Sequence, residues 1–461
     1  MTTVRNLAEV VDRAILGDDE AAHRSGDLLP ARLISERAGT APAFDGIVAR
    51  PRSAEEIAQI LRWADETSTP VVPYGLGSGV CGGVAAREGI LLDLGRMNKI
   101  LELDEKSRLV TAEAGVTGPQ LATFLDERGF LLGHEPQSVA ISTVGGWLAT
   151  RACGQLSARY GGIEDLVAGL EAVTPAGRIL SSKVVPRRAA GPDVASLMIG
   201  SEGTLGVITE ATLRIEPKPT ERTDRCVLLE HMSDGVQACR KLAQSDLHPT
   251  VVRLYDREDT TLFMRHESDP PEGSVLLLSF DGRDAENRAR ESAALTGGRE
   301  LESRFVERWW AHRNDAVEEF ASVMRGEGLL GPHGVVDTME ISGTWSVLRE
   351  LYHSVKESLS AISDFTGCHV SHVYPDGACL YFTIGSATPD DTSALETNKK
   401  WWDVGMRACL DAGGSISHHH GIGRLKAPWL PEELGGWYDV LVSVKRALDP
   451  NGIMNPGALG L

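Results

Sequence analysis

An α+β protein of more than one domain is what this sequence predicts. Three observations point that way: a strand runs into the glycine-rich stretch PYGLGSGVCGG at 73–83, three later segments mix Gly with Ser or Thr beside strand-forming residues, and the chain changes character after Pro219. Taken in order, Ser53 and Glu56 form a capping-box pattern, and Ile57, Ile60, Leu61 and Ala64 then recur at helical spacing on one face. Val71, Val72 and Pro73 read as the strand entering the loop, where six of eleven residues are Gly or Ser, so the backbone is free to turn sharply. GILLDL (89–94) and LVTAEAG (109–115) are strand-like, and a helix is expected over 119–128, stopped by Gly129. Strand signals return at Leu170–Thr174 and Gly206–Ile215, and longer mixed helices and strands with aromatic clusters follow Pro219. The resulting division is an N-terminal helical segment (1–42), a first domain (43–218), a second domain (219–430) and a C-terminal segment (431–461) that packs back on the first.

With 461 residues, 42% of them apolar and 24% charged, the chain has an ordinary globular composition and enough length to bury substantial cores. A net charge of −19 and the lack of a basic run argue against nucleic acid, whose phosphates demand clustered Lys and Arg. Cysteines 81, 153, 226, 239, 368, 379 and 409 are scattered without a CxxC pair, which suggests neither a zinc ribbon nor a disulfide framework and fits a reducing cytoplasm. The N-terminus lacks an apolar signal core, and no apolar run of roughly 18 residues occurs, so a soluble protein is expected.

The glycine stretch offers backbone N–H groups without intervening side chains, a nest suited to a pyrophosphate. A nicotinamide-type loop should open directly into a helix, whereas a strand follows here, and no Gly-Lys-Ser/Thr is present; on its own the stretch also reads as a tight turn. HEPQSVAISTVGGWLATRACG (134–154), RYGGIEDLV (159–167) and GPDVASLMIGSEGTLGVITEATLRI (191–215) add loops at strand ends around a large polar ligand. In GGSISHHHGIGR, His418 and His420 would share a face on an extended backbone, and three near-neutral imidazoles suit proton movement, although a structural His run is the plainer alternative. Arg253, in PTVVRLYD, carries a fixed charge that suits a phosphate or carboxylate, or else pairs at the surface. Tyr381, between Leu380 and Phe382, reads by itself as core packing.

Glycine loop, middle segment and GSEGTLGVITE together resemble the PCMH-type FAD-binding domain of the vanillyl-alcohol-oxidase-like flavoproteins. The chain is most similar to the alkyldihydroxyacetonephosphate synthase family, from roughly Phe44 to Pro456, through MNKI, GHEPQS, STVGGW, GGIEDLV, GPD, DGACLYF and SHHHGIGRLK. The resemblance implies a two-subdomain FAD-binding domain, an α+β cap that supplies substrate contacts, and noncovalent FAD. Its FAD contacts carry over to Pro73, Tyr74, Gly75, Leu76, Gly77, Ser78 and Gly79, and to Pro136, Gln137, Ser138, Val139, Ala140, Ile141 and Ser142. Thr150, Arg151, Ala152 and Cys153 follow, as do Glu202, Gly203, Thr204, Leu205, Gly206, Val207 and Ile208. Tyr381 takes the family's acid/base position with His418, His419 and His420, Arg253 matches an arginine important for activity, and Arg325 in VMRGEG matches a substrate-contacting arginine after a one-residue adjustment.

The reaction so implied is redox-neutral: an acyl-dihydroxyacetonephosphate loses its fatty acid and a long-chain alcohol takes that place through an adduct at flavin N5, within an apolar tunnel. The rival is the flavin-dependent D-2-hydroxyacid dehydrogenases, whose Gly-His-x-Gly-Asp-Gly-Asn-x-His and Glu-His-Gly motifs hold a divalent metal. Here those motifs read SHVYPDGACLY and SHHHGIG, so His372 is kept while Tyr381 and His419 replace a histidine and the glutamate; no metal is expected, though three histidines could still take zinc. The partners implied are an anionic small molecule and a long-chain alcohol. A homodimer is implied by the family, and a cytoplasmic setting, with peripheral membrane contact left open, by the lack of a recognisable peroxisomal signal.

Overall fold

β1 (Asp45–Ala49), β2 (Val71–Tyr74) and β3 (Glu88–Asp93) form a parallel sheet in the order β1-β3-β2. The computed structural model describes residues 7, 26–267 and 270–461, so the N-terminal helical expectation lies largely outside the described residues apart from the helix Pro30–Arg37. The helix Ala54–Thr67 crosses from β1 to β2 and buries the expected face, Ile57, Ile60, Leu61 and Ala64, against Ile47, Val71, Ile90 and Leu92. Half of the anticipated capping box forms: the Ser53 hydroxyl accepts from the Glu56 N–H, but the Glu56 carboxylate takes the Arg52 N–H at 2.7 Å instead of that of Ser53. Ile453 and Met454 also pack into this core, and the Val71 N–H donates to the Ile453 carbonyl.

A five-stranded antiparallel sheet follows, built from β4 (Ile100–Asp104) and β5 (Leu109–Glu113) and, beyond the short β6 (Phe130–Leu131), from β7 (Val167–Val173), β8 (Ile179–Ser181) and β9 (Val207–Arg214). Its order is β4-β5-β9-β7-β8, while β10 (Glu216–Pro217) pairs with β6. The expected helix runs Gly118–Asp126, capped by the Thr117 hydroxyl.

The remaining strands are β11 (Arg222–Leu229), β12 (Val251–Tyr255), β13 (Ser274–Asp281), β14 (Arg299–Leu301), β15 (Val335–Thr344), β16 (Phe365–Val373) and β17 (Gly377–Ser386). They form one antiparallel sheet in the order β14-β11-β13-β12-β16-β17-β15. The apolar run of β13 is buried on both faces: Leu276, Leu278 and Phe280 join a core with the helices Met232–Ala243, Leu348–Ser360 and Asp391–Asp411, whereas Val275 and Leu277 meet Tyr255, Phe305 and Trp309 on the other side. This second face carries the site. All seven cysteines are buried free thiols, and among the described residues no helix is long and apolar enough to cross a membrane.

Candidate active site

Sheet register decides which side chains meet. Directly opposed residues point to the same face, and one such row crosses four strands: Tyr255 on β12, His369 on β16, Tyr381 on β17 and Glu340 on β15. Arg253, two residues before Tyr255, shares that face. A bulge between Ser371 and Val373 puts His372 at φ 53°, in the left-handed region, and brings its ring to the same side.

Tyr255, His369 and Tyr381 of this row line a cavity of about 1240 Å³ whose other wall is the glycine-rich loop. Gly75, Leu76, Gly77, Ser78, Gly79 and Val80 all line it, and among the described residues none of their backbone N–H groups donates to a protein acceptor. A Cβ on Gly75 would lie 2.6 Å from Thr143 Oγ1, and Gly77 has φ +70°, so the loop tolerates side chains poorly at these positions. Of the other expected ligand contacts, Pro73, Tyr74, Pro136, Gln137, Ser138, Ile141, Ser142, Thr150, Ala152, Cys153, Glu202, Gly203, Gly206, Val207 and Ile208 reach the cavity.

Five do not, each for a local reason. Val139 packs on the hydrophobic core and Ala140 is exposed within a short 3-10 turn. Arg151 sits in the left-handed C-cap of a helix and pairs with Glu164 at 3.1 Å. The Thr204 hydroxyl donates to the Ser201 carbonyl, and Leu205 is core. Thr143, Gly145, Gly146 and Gln155 reach the wall without having been anticipated. The first three lie inside or beside the STVGGW stretch, where a Gly-Gly pair at a helix start was the available signal.

The histidine triplet departs from the extended geometry the sequence suggested. Its three successive N–H groups wrap the carboxylate of Glu340, with donor distances of 3.2 Å from His418, 3.4 Å from His419 and 2.7 Å from His420. Ser417 Oγ and Lys426 Nζ also donate to Glu340, and the Glu340–Lys426 pair is fully buried. Burial is the largest single influence on Glu340 and resists its ionisation, but the charge and hydrogen bond of Lys426 together with the contacts from His420 hold the carboxyl below the usual range. On this turn His419 and His420 face the cavity, while His418 turns to Tyr374, whose hydroxyl lies 2.8 Å from His418 Nε2.

Burial also overturns the expectation of near-neutral imidazoles. It pushes His418 and His420 down to about 4 and holds His419 and His372 well below the usual value, so all four rings are neutral. Tyr381 moves the other way, its phenol pushed far above the ordinary range by burial. Its ring stacks on His369 at 4.6 Å and meets His420 edge-on at 5.5 Å.

Five arginines line the cavity, and four are paired with carboxylates: Arg265 with Glu319, Arg308 with Glu267, Arg313 with Glu135, and Arg325 with Glu318 and Glu327. Arg325 is half-exposed at the rim with its charge thus compensated, a weaker anion contact than the sequence reading gave it. Arg253 differs: Nε donates to the Tyr255 hydroxyl at 2.7 Å and Nη2 lies 2.9 Å from His369 Nε2, with no carboxylate partner among the described residues. Its guanidinium therefore retains charge for an anion. His369 and Asp259, which lies 2.7 Å from His369 Nδ1, escaped sequence reasoning because the pair is separated by 110 residues.

Among the described residues, two groups of three metal-capable side chains also occur here, Cys153–His372–His418 and Cys379–His418–His419. Thiol with imidazole is a soft donor set, fitting zinc in preference to magnesium or calcium, but burial pushes the Cys153 thiol up to about 11.

Glu202 joins the triplet segment to the first part of the chain by accepting from the N–H groups of Ile422 at 2.6 Å and Gly423 at 2.8 Å. Burial lifts its carboxyl to about 7, against 4.5 for a free glutamate. Between those values the folded state holds more protons than the unfolded one, so this group's stabilising contribution falls as pH rises. Glu202→Gln keeps an acceptor oxygen and removes the titration. The Tm of the variant minus that of the parent should accordingly increase from about pH 5 to about pH 8 in paired thermal melts. A difference flat with pH contradicts this placement of the charge.

The sequence matches the family model described as FAD linked oxidases, C-terminal domain, over residues 218–459 and the FAD binding domain model over residues 46–183. It is 33% identical over 425 residues to the uncharacterized FAD-linked oxidoreductase YgcU of Escherichia coli strain K12, covering 88% of this chain and 87% of that one. It is 30% identical over 462 residues to the alkyldihydroxyacetonephosphate synthase of Caenorhabditis elegans, covering 91% and 77%. The D-lactate dehydrogenase of Anaerostipes hadrus is 30% identical over 431 residues, covering 90% and 89%. A solved alkyldihydroxyacetonephosphate synthase superposes with a TM-score of 0.81 at 26% identity, over 99% of this chain and 85% of that one.

Proposed function

The chain belongs to the FAD-linked oxidase family, and on that premise we propose that it is a FAD-dependent enzyme of the alkylglycerone-phosphate synthase type. Its reaction would exchange the acyl group of an acyl-dihydroxyacetonephosphate-like substrate for a fatty alcohol. One observation carries this reading: the cavity wall joins Arg253, the one lining arginine without a carboxylate partner among the described residues, to the apolar side chains of Leu262, Phe263, Val317, Phe320, Val323, Leu330, Val336 and Ile384. An anionic head and a long apolar chain match that pairing of charge and grease.

The free amides of Gly75–Val80 fit the pyrophosphate of FAD, which when bound supplies an electrophilic centre to the substrate carbon. Arg253 orients the anionic head. The protonated phenol of Tyr381 donates to the carboxylate oxygen as the bond from the substrate carbon to that oxygen breaks and the fatty acid departs, and a ring nitrogen of His419 or His420, neutral by burial, accepts the proton of the alcohol whose oxygen takes its place on that carbon. Glu340 holds both rings at the cavity through their backbone. A second reading, oxidation of a D-2-hydroxyacid, draws support from the likeness to D-lactate dehydrogenase and from the equal fit of a carboxylate at Arg253.

The two readings separate in one assay. Purified FAD-loaded protein is offered palmitoyl-dihydroxyacetonephosphate with hexadecanol, and in parallel a panel of D-2-hydroxyacids with an artificial electron acceptor. Ether product without acceptor reduction is expected; acceptor reduction alone establishes the second reading. No histidine occurs in the glycine-rich loop at 73–83, so denaturation should release FAD into the supernatant. Flavin that stays with the precipitated protein contradicts noncovalent binding.

A further inference from the structure

We propose that His369 and Asp259 are a positioning pair for Arg253, presenting its guanidinium to the anionic group of the substrate. The inference rests on the anionic-substrate reading above and deepens it. Arginine has only donors, so His369 Nε2, 2.9 Å from Arg253 Nη2, is the acceptor in that contact. The one proton of the neutral ring then sits on Nδ1, facing Asp259 Oδ2 at 2.7 Å. Both ends of the imidazole are thus fixed by opposite demands, and the tautomer with them.

Asp259 is itself held. It stands in the first turn of the helix Arg257–Phe263, where its N–H donates to the Asp256 side chain at 2.8 Å. Gly367 makes room for it, since a Cβ there would lie 2.9 Å from Asp259 Oδ1. Asp259, His369 and Arg253 are therefore a relay of carboxylate, imidazole and guanidinium across the cavity face.

The interposed ring has a consequence for binding. Glutamates that touch the rim arginines directly occupy N–H donors and cancel the charge. Here the carboxylate acts one ring away, so Nε is spent on Tyr255 and one Nη2 hydrogen on His369, while the other donors of the guanidinium stay free for a ligand. The same imidazole stacks on Tyr381 at 4.6 Å and 17°, which fixes the distance between the anion contact and the proton donor.

A double-mutant cycle tests the pair. Dihydroxyacetone phosphate and D-lactate are titrated into FAD-loaded protein, and binding is read from the flavin absorbance. His369→Phe, which keeps an aromatic ring without an acceptor, should weaken the bound probe about tenfold when Arg253 is present and less than about twofold in the Arg253→Ala background. His369→Gln returns an acceptor near the Nε2 position and should recover most of that loss. Should His369→Phe fail to retain FAD, Asp259→Asn takes its place in the cycle with the same pattern expected.

Equal losses in both backgrounds, or no loss in either, overturn the inference while leaving the anionic reading intact, provided Arg253→Ala alone weakens the probe. If Arg253→Ala has no effect, or the parent binds neither probe, the anionic reading and this inference fall together.

Discussion

Tyr381→Phe is expected to give a folded, FAD-loaded protein whose turnover is lower by about 10²–10⁴ with substrate affinity little changed. The ring itself is structural, stacked on His369 and edge-on to His420, and phenylalanine preserves those contacts. Only the phenolic hydroxyl is lost. That hydroxyl is the chemistry. Burial keeps the phenol protonated and the nearby imidazoles unprotonated, so the site separates a donor from its acceptors by environment alone. Steady-state kcat and KM on the substrate identified above, with flavin content as control, decide the matter. A Phe variant that keeps half or more of the parent turnover assigns Tyr381 to packing.

Much of this site was legible because its signals are local. A run of Gly and Ser after a strand suggests where backbone passes close to a ligand, and Gly75–Val80 line the cavity. What the sequence concealed was long-range register. Glu340 stands among other polar residues of β15, Asp337, Thr338, Ser342 and Thr344, and nothing nearby tells that its carboxylate gathers three amides from a loop 78–80 residues further on. That wrapping is why His418 and His420 do not share a face as an extended chain would require. The imidazole titration was misread for a related reason: near-neutral values belong to solvated rings, and burial is a property of the tertiary fold. Asp259 and His369 were missed because a relay is visible only once β12 and β16 are side by side. Arg151, Thr204 and Leu205 show the opposite error, in which a whole motif was assigned to the ligand although its helix cap and its core positions point away.

Arg253→Ala should weaken binding of the anionic substrate about ten- to hundredfold, because a charge-assisted hydrogen bond to an anion contributes about 1.5–3 kcal/mol. FAD content should be unchanged, since the residue lies on the sheet opposite the glycine-rich loop. Some loss of Tm is expected as well, because truncation leaves the hydroxyl of Tyr255 and Nε2 of His369, both buried residues, without their partner. That loss is what separates binding from scaffold: a scaffold role lowers the melt while KM stays put, whereas an anion contact raises KM strongly even where the melt is restored. Arg253→Lys sharpens the distinction, since lysine returns the charge but not the planar fork that reaches Tyr255, His369 and the ligand together. Partial recovery of KM by lysine, with turnover at saturation near the parent value, is the result expected of a head-group contact. A KM equal to that of the parent in both variants would assign Arg253 to the scaffold and leave the cavity without a charged anchor for its substrate.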